Sequence, residues 1–144
     1  MGPDAGSDSS ARGPAGHDEV NRATAPGFFG WPYFIGDNKA YVPYDFATKT
    51  SGEKPFDPAA PMNNSPNNTG ATQLPPAQPA YIWYPYGKST EFPMVGDGGR
   101  NAMAGPVFYY EDYPESGIKF PEYYDGKLFI YECCLLYTSP SPRD

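Results

Sequence analysis

The segment Arg12–Pro32 holds the residues of this chain whose types and spacing point most directly to chemistry. Gly13-Pro14 opens it, the acidic pair Asp18-Glu19 stands in the middle, and Gly30-Trp31-Pro32 closes it. Proline restricts its own φ and glycine admits positive φ, so the backbone is fixed at both ends. Such a segment aims main-chain carbonyls rather than filling a core. By residue type alone it also reads as a proline-bounded loop ahead of a β-strand. The only histidine, His17, lies beside the acidic pair. Farther along, Gly96-Asp97-Gly98-Gly99-Arg100 forms a glycine-rich loop. It lacks the GxxxxGK pattern of a phosphate loop, so that chemistry is not indicated.

The elements that must position these residues are short strands. Tyr81-Ile82-Trp83-Tyr84-Pro85-Tyr86 is aromatic and β-prone. Pro106–Tyr110 is a second candidate. Lys127–Tyr131 is the clearest, with the turn signal Asp125-Gly126 ahead of it. Between the first segment and these strands, 37–80 is loop-dominated. One short strand is expected within Asn38–Phe46, confined to a sheet edge by Pro43. Pro55–Pro79 is dense in Pro and Asn, residues that favour turns, and it holds two glycosylation sequons, Asn63-Asn64-Ser65 and Asn67-Asn68-Thr69. A loop of this length is either functional or disordered; an ordered excursion is expected.

Composition agrees with strands and loops. The chain has 19 Pro, 16 Gly and 17% aromatic residues. The aromatics argue against full disorder, and the Pro/Gly content against long helices, so the expected class is all-β with long Pro/Gly/Asn-rich loops. A net charge of −7 without a Lys/Arg cluster argues against nucleic-acid binding. No signal peptide or membrane span is read.

The segment Arg12–Pro32 resembles a stretch of the soluble pyrroloquinoline-quinone (PQQ) sugar dehydrogenases, the glucose/sorbosone dehydrogenase family of β-propellers. The family pattern runs Gly-Pro-x-x-x-Asp-Glu-Ile-Asn, a spacer, then Gly-Asn-Tyr-Gly-Trp-Pro. Gly13, Pro14, Asp18, Glu19, Asn21, Gly27, Gly30, Trp31 and Pro32 match in register, with Val20 for Ile and Phe29 for Tyr. Phe28 departs from the family's Asn. Phe120–Ile130 is similar to the family's Phe-Pro turn leading into a strand, and Asn101–Val107 to the strand that starts that blade.

The resemblance implies a partial propeller domain over 12–133, about one to two blades, after a loose segment at 1–11. It implies a PQQ-dependent dehydrogenase that oxidises a sugar or aldose hydroxyl with hydride transfer to the quinone. Ca2+ would be held by the carbonyls of Gly13 and Pro14, a hard-oxygen set that suits calcium. Asp18 and Glu19 match the family's acidic pair and would orient the site or hold a structural ion; solvated carboxylates are the other reading. Tyr81 and Tyr84 would lie against cofactor or sugar, with core packing as the alternative, and Arg100 would meet a PQQ carboxylate. The family's histidine base lies upstream of the pattern, so His17 is expected to be a surface residue. No catalytic residue is assigned in this chain, which is expected to be inactive alone. A cytochrome or similar electron acceptor and a periplasmic or extracellular setting are implied. A second reading is a non-catalytic, calcium-stabilised propeller that binds carbohydrate through Tyr/Trp-rich loops.

The tail 134–144 reads Cys-Leu-Leu-Tyr-Thr-Ser-Pro-Ser-Pro-Arg-Asp. Its first six residues are the translation of a transposase-type sequencing adapter, TGT-CTC-TTA-TAC-ACA-TCT. It is set apart as an artefact, with Cys133 as the junction. The natural chain is then expected to run on from near Glu132. Both cysteines fall in this stretch, so they carry no redox or metal reading.

Overall fold

A computed structural model describes residues 9, 11–97, 101–114 and 116–132. The described chain is all-β. It holds strands β1 His17–Val20, β2 Phe34–Ile35, β3 Lys39–Ala40, β4 Tyr44–Asp45, β5 Thr50–Ser51, β6 Ile82–Pro85, β7 Ala102–Phe108 and β8 Lys127–Glu132. They form four two-stranded antiparallel sheets: β1 with β6, β2 with β3, β4 with β5, and β7 with β8. The chain divides into two compact units, Met1–Gly98 and Gly99–Asp144. No helix among the described residues is long and apolar enough to cross a membrane.

Prolines and turn residues keep the strands short. The single strand expected within Asn38–Phe46 is two, β3 and β4, with Tyr41-Val42-Pro43 between them. The reason is a change of partner. Tyr41 N–H donates to Tyr33 O at 2.9 Å, Val42 N–H donates to Arg12 O at 3.1 Å, and Pro43 has no N–H, only a carbonyl that accepts from Gly52 N at 2.8 Å. The turn between β2 and β3 uses positive φ at Gly36 and at Asn38, a conformation that Gly and Asn tolerate best.

The β4–β5 turn is held by Asp45. Its Oδ1 accepts from Ala47 N at 2.8 Å, and its Oδ2 accepts from Thr48 Oγ1 at 2.8 Å. These bonds, led by the Thr48 hydroxyl, hold the Asp45 carboxyl below its ordinary value. A depressed folded-state value means that the stabilisation is present above the unfolded carboxyl's pKa, about 3.9, and is lost as pH falls through the lower folded value. Acid titration followed by NMR is expected to show the Ala47 and Thr48 amides losing protection there, while Asp45→Asn flattens that response.

In the first unit the core is Phe34, Tyr41, Val42 and Tyr84. Around Phe34 lie Phe28, Tyr33 and Phe56, with Tyr33 and Phe56 closest at 4.3 Å between ring centroids. The Pro/Asn-rich 55–79 stretch is an ordered excursion, as expected. Its arms join through Asn63 N–Thr72 O (2.7 Å) and Leu74 N–Pro61 O (2.9 Å), and its base through Ala77 N–Pro58 O and Gln78 N–Phe28 O, both 2.8 Å. At the tip Asn68 acts as a bracket: its Nδ2 donates to Asn63 O and Ala71 O, both at 3.1 Å, and its Oδ1 accepts from Gly70 N at 2.9 Å.

The second unit is a β7–β8 hairpin with aromatics on one side. β7 starts at Ala102, four residues before the Pro106 start read from residue types and one after the Asn101 start implied by the resemblance. Ala and Gly have little strand preference, so pairing with β8 recruits them. The register shifts between Ala104 and Val107, where Gly105 and Pro106 face the single residue Phe129, a bulge that tolerates proline. Phe108 is buried, stacked on Tyr113 at 5.6 Å and edge-on to Phe120 at 5.6 Å. The expected Asp125-Gly126 turn is present: Gly126 has φ +67°, its N–H reaches Phe108 O at 2.8 Å, and Asp125 Oδ1 accepts from Tyr110 N at 2.8 Å.

Candidate functional site

Gly13 occupies a position that only glycine fills. Its φ is +110°, and a Cβ there would lie 2.8 Å from Tyr41 Cα and 2.9 Å from Ala40 O. The following residue, Pro14, is buried. The Gly-Pro pair is therefore pressed onto the chain leaving β3. Gly13 also closes a tight turn with Ser9: Ser9 N donates to Gly13 O at 2.9 Å and Gly13 N donates to Ser9 O at 2.6 Å. A carbonyl oxygen has a second lone pair, so Gly13 O keeps acceptor capacity. Calcium takes six to eight oxygens, and among the described residues no group of three or more His, Cys, Asp or Glu gathers to hold a metal ion. The donor type fits calcium. The two carbonyls of Gly13 and Pro14 do not complete its shell, so further oxygens would be needed.

The acidic pair lies in a strand. A loop leading into a strand is the sequence expectation for this segment, but β1 begins within it, at His17. Asp18 stands opposite Tyr84 and Glu19 opposite Trp83. Residues alternate between faces along a strand, so the two carboxylates point to opposite sides of the β1–β6 sheet. Glu19 does structural work: its Oε2 accepts from Gly36 N at 2.8 Å and its Oε1 from Asn21 Nδ2 at 3.0 Å, tying β1 to the β2–β3 turn. Its charge also bears on Tyr41, whose phenol is pushed up first by burial, then by Glu19 and Tyr86. Arg12 lies over the Tyr44 ring at 3.8 Å, a cation–π contact.

Tyr81 and Tyr84 are not brought together. Tyr84 is core, 4% exposed, whereas Tyr81 is 60% exposed, with the Arg22 guanidinium 5.7 Å from its ring centroid. Three residues apart on extended chain, they face opposite ways. Arg100 lies outside the described residues, as do Cys133 and the 134–144 tail.

His17 lies in β1 and is half-buried. Its Nδ1 lies 2.9 Å from Ala15 O. A carbonyl can only accept, so Nδ1 carries the proton, and in the neutral ring Nε2 is the acceptor. The ring lies 5.8 Å from Trp83. Lys39 Nζ sits 4.7 Å from the Trp83 ring centroid and 3.0 Å from Asp37, and Phe92 meets Trp83 edge-on at 5.9 Å. His17, Lys39 and Trp83 border a recess of about 320 Å3 that also takes in Lys88, Ser89 and Glu91. Sequence reasoning missed this cluster. Its one legible signal is alternation in β6, which sets Trp83 opposite in face to Tyr84; the partner across the sheet requires the register.

No protein-family model, curated protein or solved structure matches the chain.

Proposed function

We propose that this chain is part of a β-propeller quinoprotein that oxidises a sugar hydroxyl, with calcium and PQQ as cofactors. The observation that carries the reading is Gly13. The pattern glycine that would present a calcium-binding carbonyl sits at φ +110° against Tyr41, where no other residue fits, so the Gly-Pro backbone is rigidly aimed. A second pattern glycine, Gly30, also has positive φ, +94°, and opens a turn in which the N–H groups of Tyr33 and Phe34 donate to its carbonyl. When bound, PQQ would accept hydride from the carbinol carbon and become the quinol, while the hydroxyl proton passes to a base. This chain's part is scaffolding: Gly13 and Pro14 offer carbonyls, Glu19 braces the β2–β3 turn, and the base and most cofactor contacts lie elsewhere in the parent. The setting is periplasmic or extracellular, with a cytochrome or similar acceptor.

A carbohydrate-binding, non-catalytic propeller is the second reading. The exposed rings of Trp31, 66% exposed, and Tyr81 favour it, because bare aromatic faces suit sugar stacking. One experiment separates the two. The parent protein, loaded with PQQ and Ca2+, is expected to bleach a redox dye with an aldose and to lose that activity on calcium chelation. Aldose binding without dye reduction selects the binding reading; neither binding nor reduction removes both.

A further inference from the structure

The recess beside β1 and β6 gathers two lysines and the histidine within an acidic chain. The protein carries a net charge of −7, which repels anions in general. Yet one recess of about 320 Å3 is bordered by Lys39, Lys88 and His17, the last being the only imidazole present. That volume lies at the small end of the range for small-molecule sites. The opposing charges are Asp37, paired with Lys39 at 3.0 Å, Glu91 in the lining, and Glu19, which shares the His17 face of β1 opposite Trp83 and is bonded to Gly36 N and Asn21 Nδ2.

The groups differ in what they offer. Trp83 and Pro85 give an apolar wall. Ser89 is buried, and its Oγ accepts from Phe92 N at 2.9 Å, which leaves its hydroxyl proton to donate. His17 is held at Nδ1 by Ala15 O, so in the neutral ring Nε2 accepts. Ammonium groups suit a carboxylate as point charges, the Ser89 hydroxyl and His17 imidazole suit hydroxyl groups, which both give and take hydrogen bonds, and the Glu91 carboxylate opposes an anion.

We propose that this recess binds a small hydroxylated organic carboxylate, with Lys39 and Lys88 meeting the carboxylate and His17 and Ser89 meeting hydroxyls. The recess begins at Ala15, next along the chain from Pro14, but binding there requires neither quinone nor calcium, so it stands or falls independently of the dehydrogenase reading.

The test uses the full chain and its single histidine as reporter. Sodium gluconate is titrated while the His17 ring resonances are followed by NMR, with glucose as the neutral analogue and inorganic phosphate as the generic anion. Gluconate is expected to shift the His17 signals saturably, with glucose and phosphate each at least about tenfold weaker, the scale of one lost charge-assisted contact. Lys88→Met, at an exposed position, is expected to weaken gluconate about tenfold on the same grounds. Glu91→Gln is expected to tighten it several-fold. Opposite signs from two exposed neighbours are not produced by a structural disturbance. Glucose or phosphate binding as tightly as gluconate, an absence of saturable shift, or both variants leaving the affinity unchanged would overturn the proposal.

Discussion

Phe34→Ala is expected to destabilise the first unit by about 3–5 kcal/mol, the usual cost of truncating a buried phenylalanine. Phe34 is 1% exposed. Phe28, Tyr33 and Phe56 surround it at 6.2, 6.4 and 6.5 Å between ring centroids. The sheets give little reserve. Each is two-stranded, and an isolated two-stranded sheet is at best marginal in water. A small domain holds about 5–15 kcal/mol in all, so this one change removes a large share. Urea denaturation read by tryptophan fluorescence is the measurement. Both tryptophans, Trp31 and Trp83, belong to this unit, so the signal reports on it directly. Phe34→Leu, which keeps most of the volume, is expected to cost far less. Equal losses for the two variants would mean that cavity formation is not the cause.

Gly13→Ala is expected to have the next largest effect, through the backbone. At φ +110° an L-residue is strained, by about 1–3 kcal/mol. The added methyl also meets Tyr41 Cα and Ala40 O at 2.8 and 2.9 Å. Both are main-chain atoms and cannot swing aside, so overpacking adds about 1–3 kcal/mol. Gly87→Ala is the control: nothing lies within 4 Å of its Cβ position, and its melting temperature is expected to stay unchanged. A loss of about 1 kcal/mol lowers Tm by roughly 4–8 °C in a domain of 60–100 residues, so the contrast is measurable by thermal melting. Within the dehydrogenase reading, the same substitution displaces the Gly13 carbonyl and lowers calcium affinity in the parent. Matching melts for both alanine variants would show that Gly13 is not sterically required.

Strands are legible where the local chain decides them. β6 and β8 are runs of aromatic and branched residues bounded by turn formers, and both lie where the sequence places them. β1 is not legible, because His-Asp-Glu-Val holds one strand former among polar residues and is extended only because β6 pairs with it. Gly13 stands out by type, since a glycine beside a proline marks a constrained backbone; what it packs against does not. The opposite fates of Tyr81 and Tyr84 follow from strand alternation once the strand is known. The recess could not be read, because His17 and Trp83 are separated by the whole 37–80 loop.

Sequence alone determined that the described chain is all-β, interrupted every few residues, and rich in turns at known places. Proline, glycine and asparagine act on their own φ and ψ, so their effect survives without knowledge of any partner. Tertiary structure alone decided that Asp18 stands opposite Tyr84, that Glu19 braces the Gly36 turn, and that one histidine, two lysines and a tryptophan share a recess. Those are matters of register between distant segments, and register depends on long-range pairing and burial that no local preference encodes.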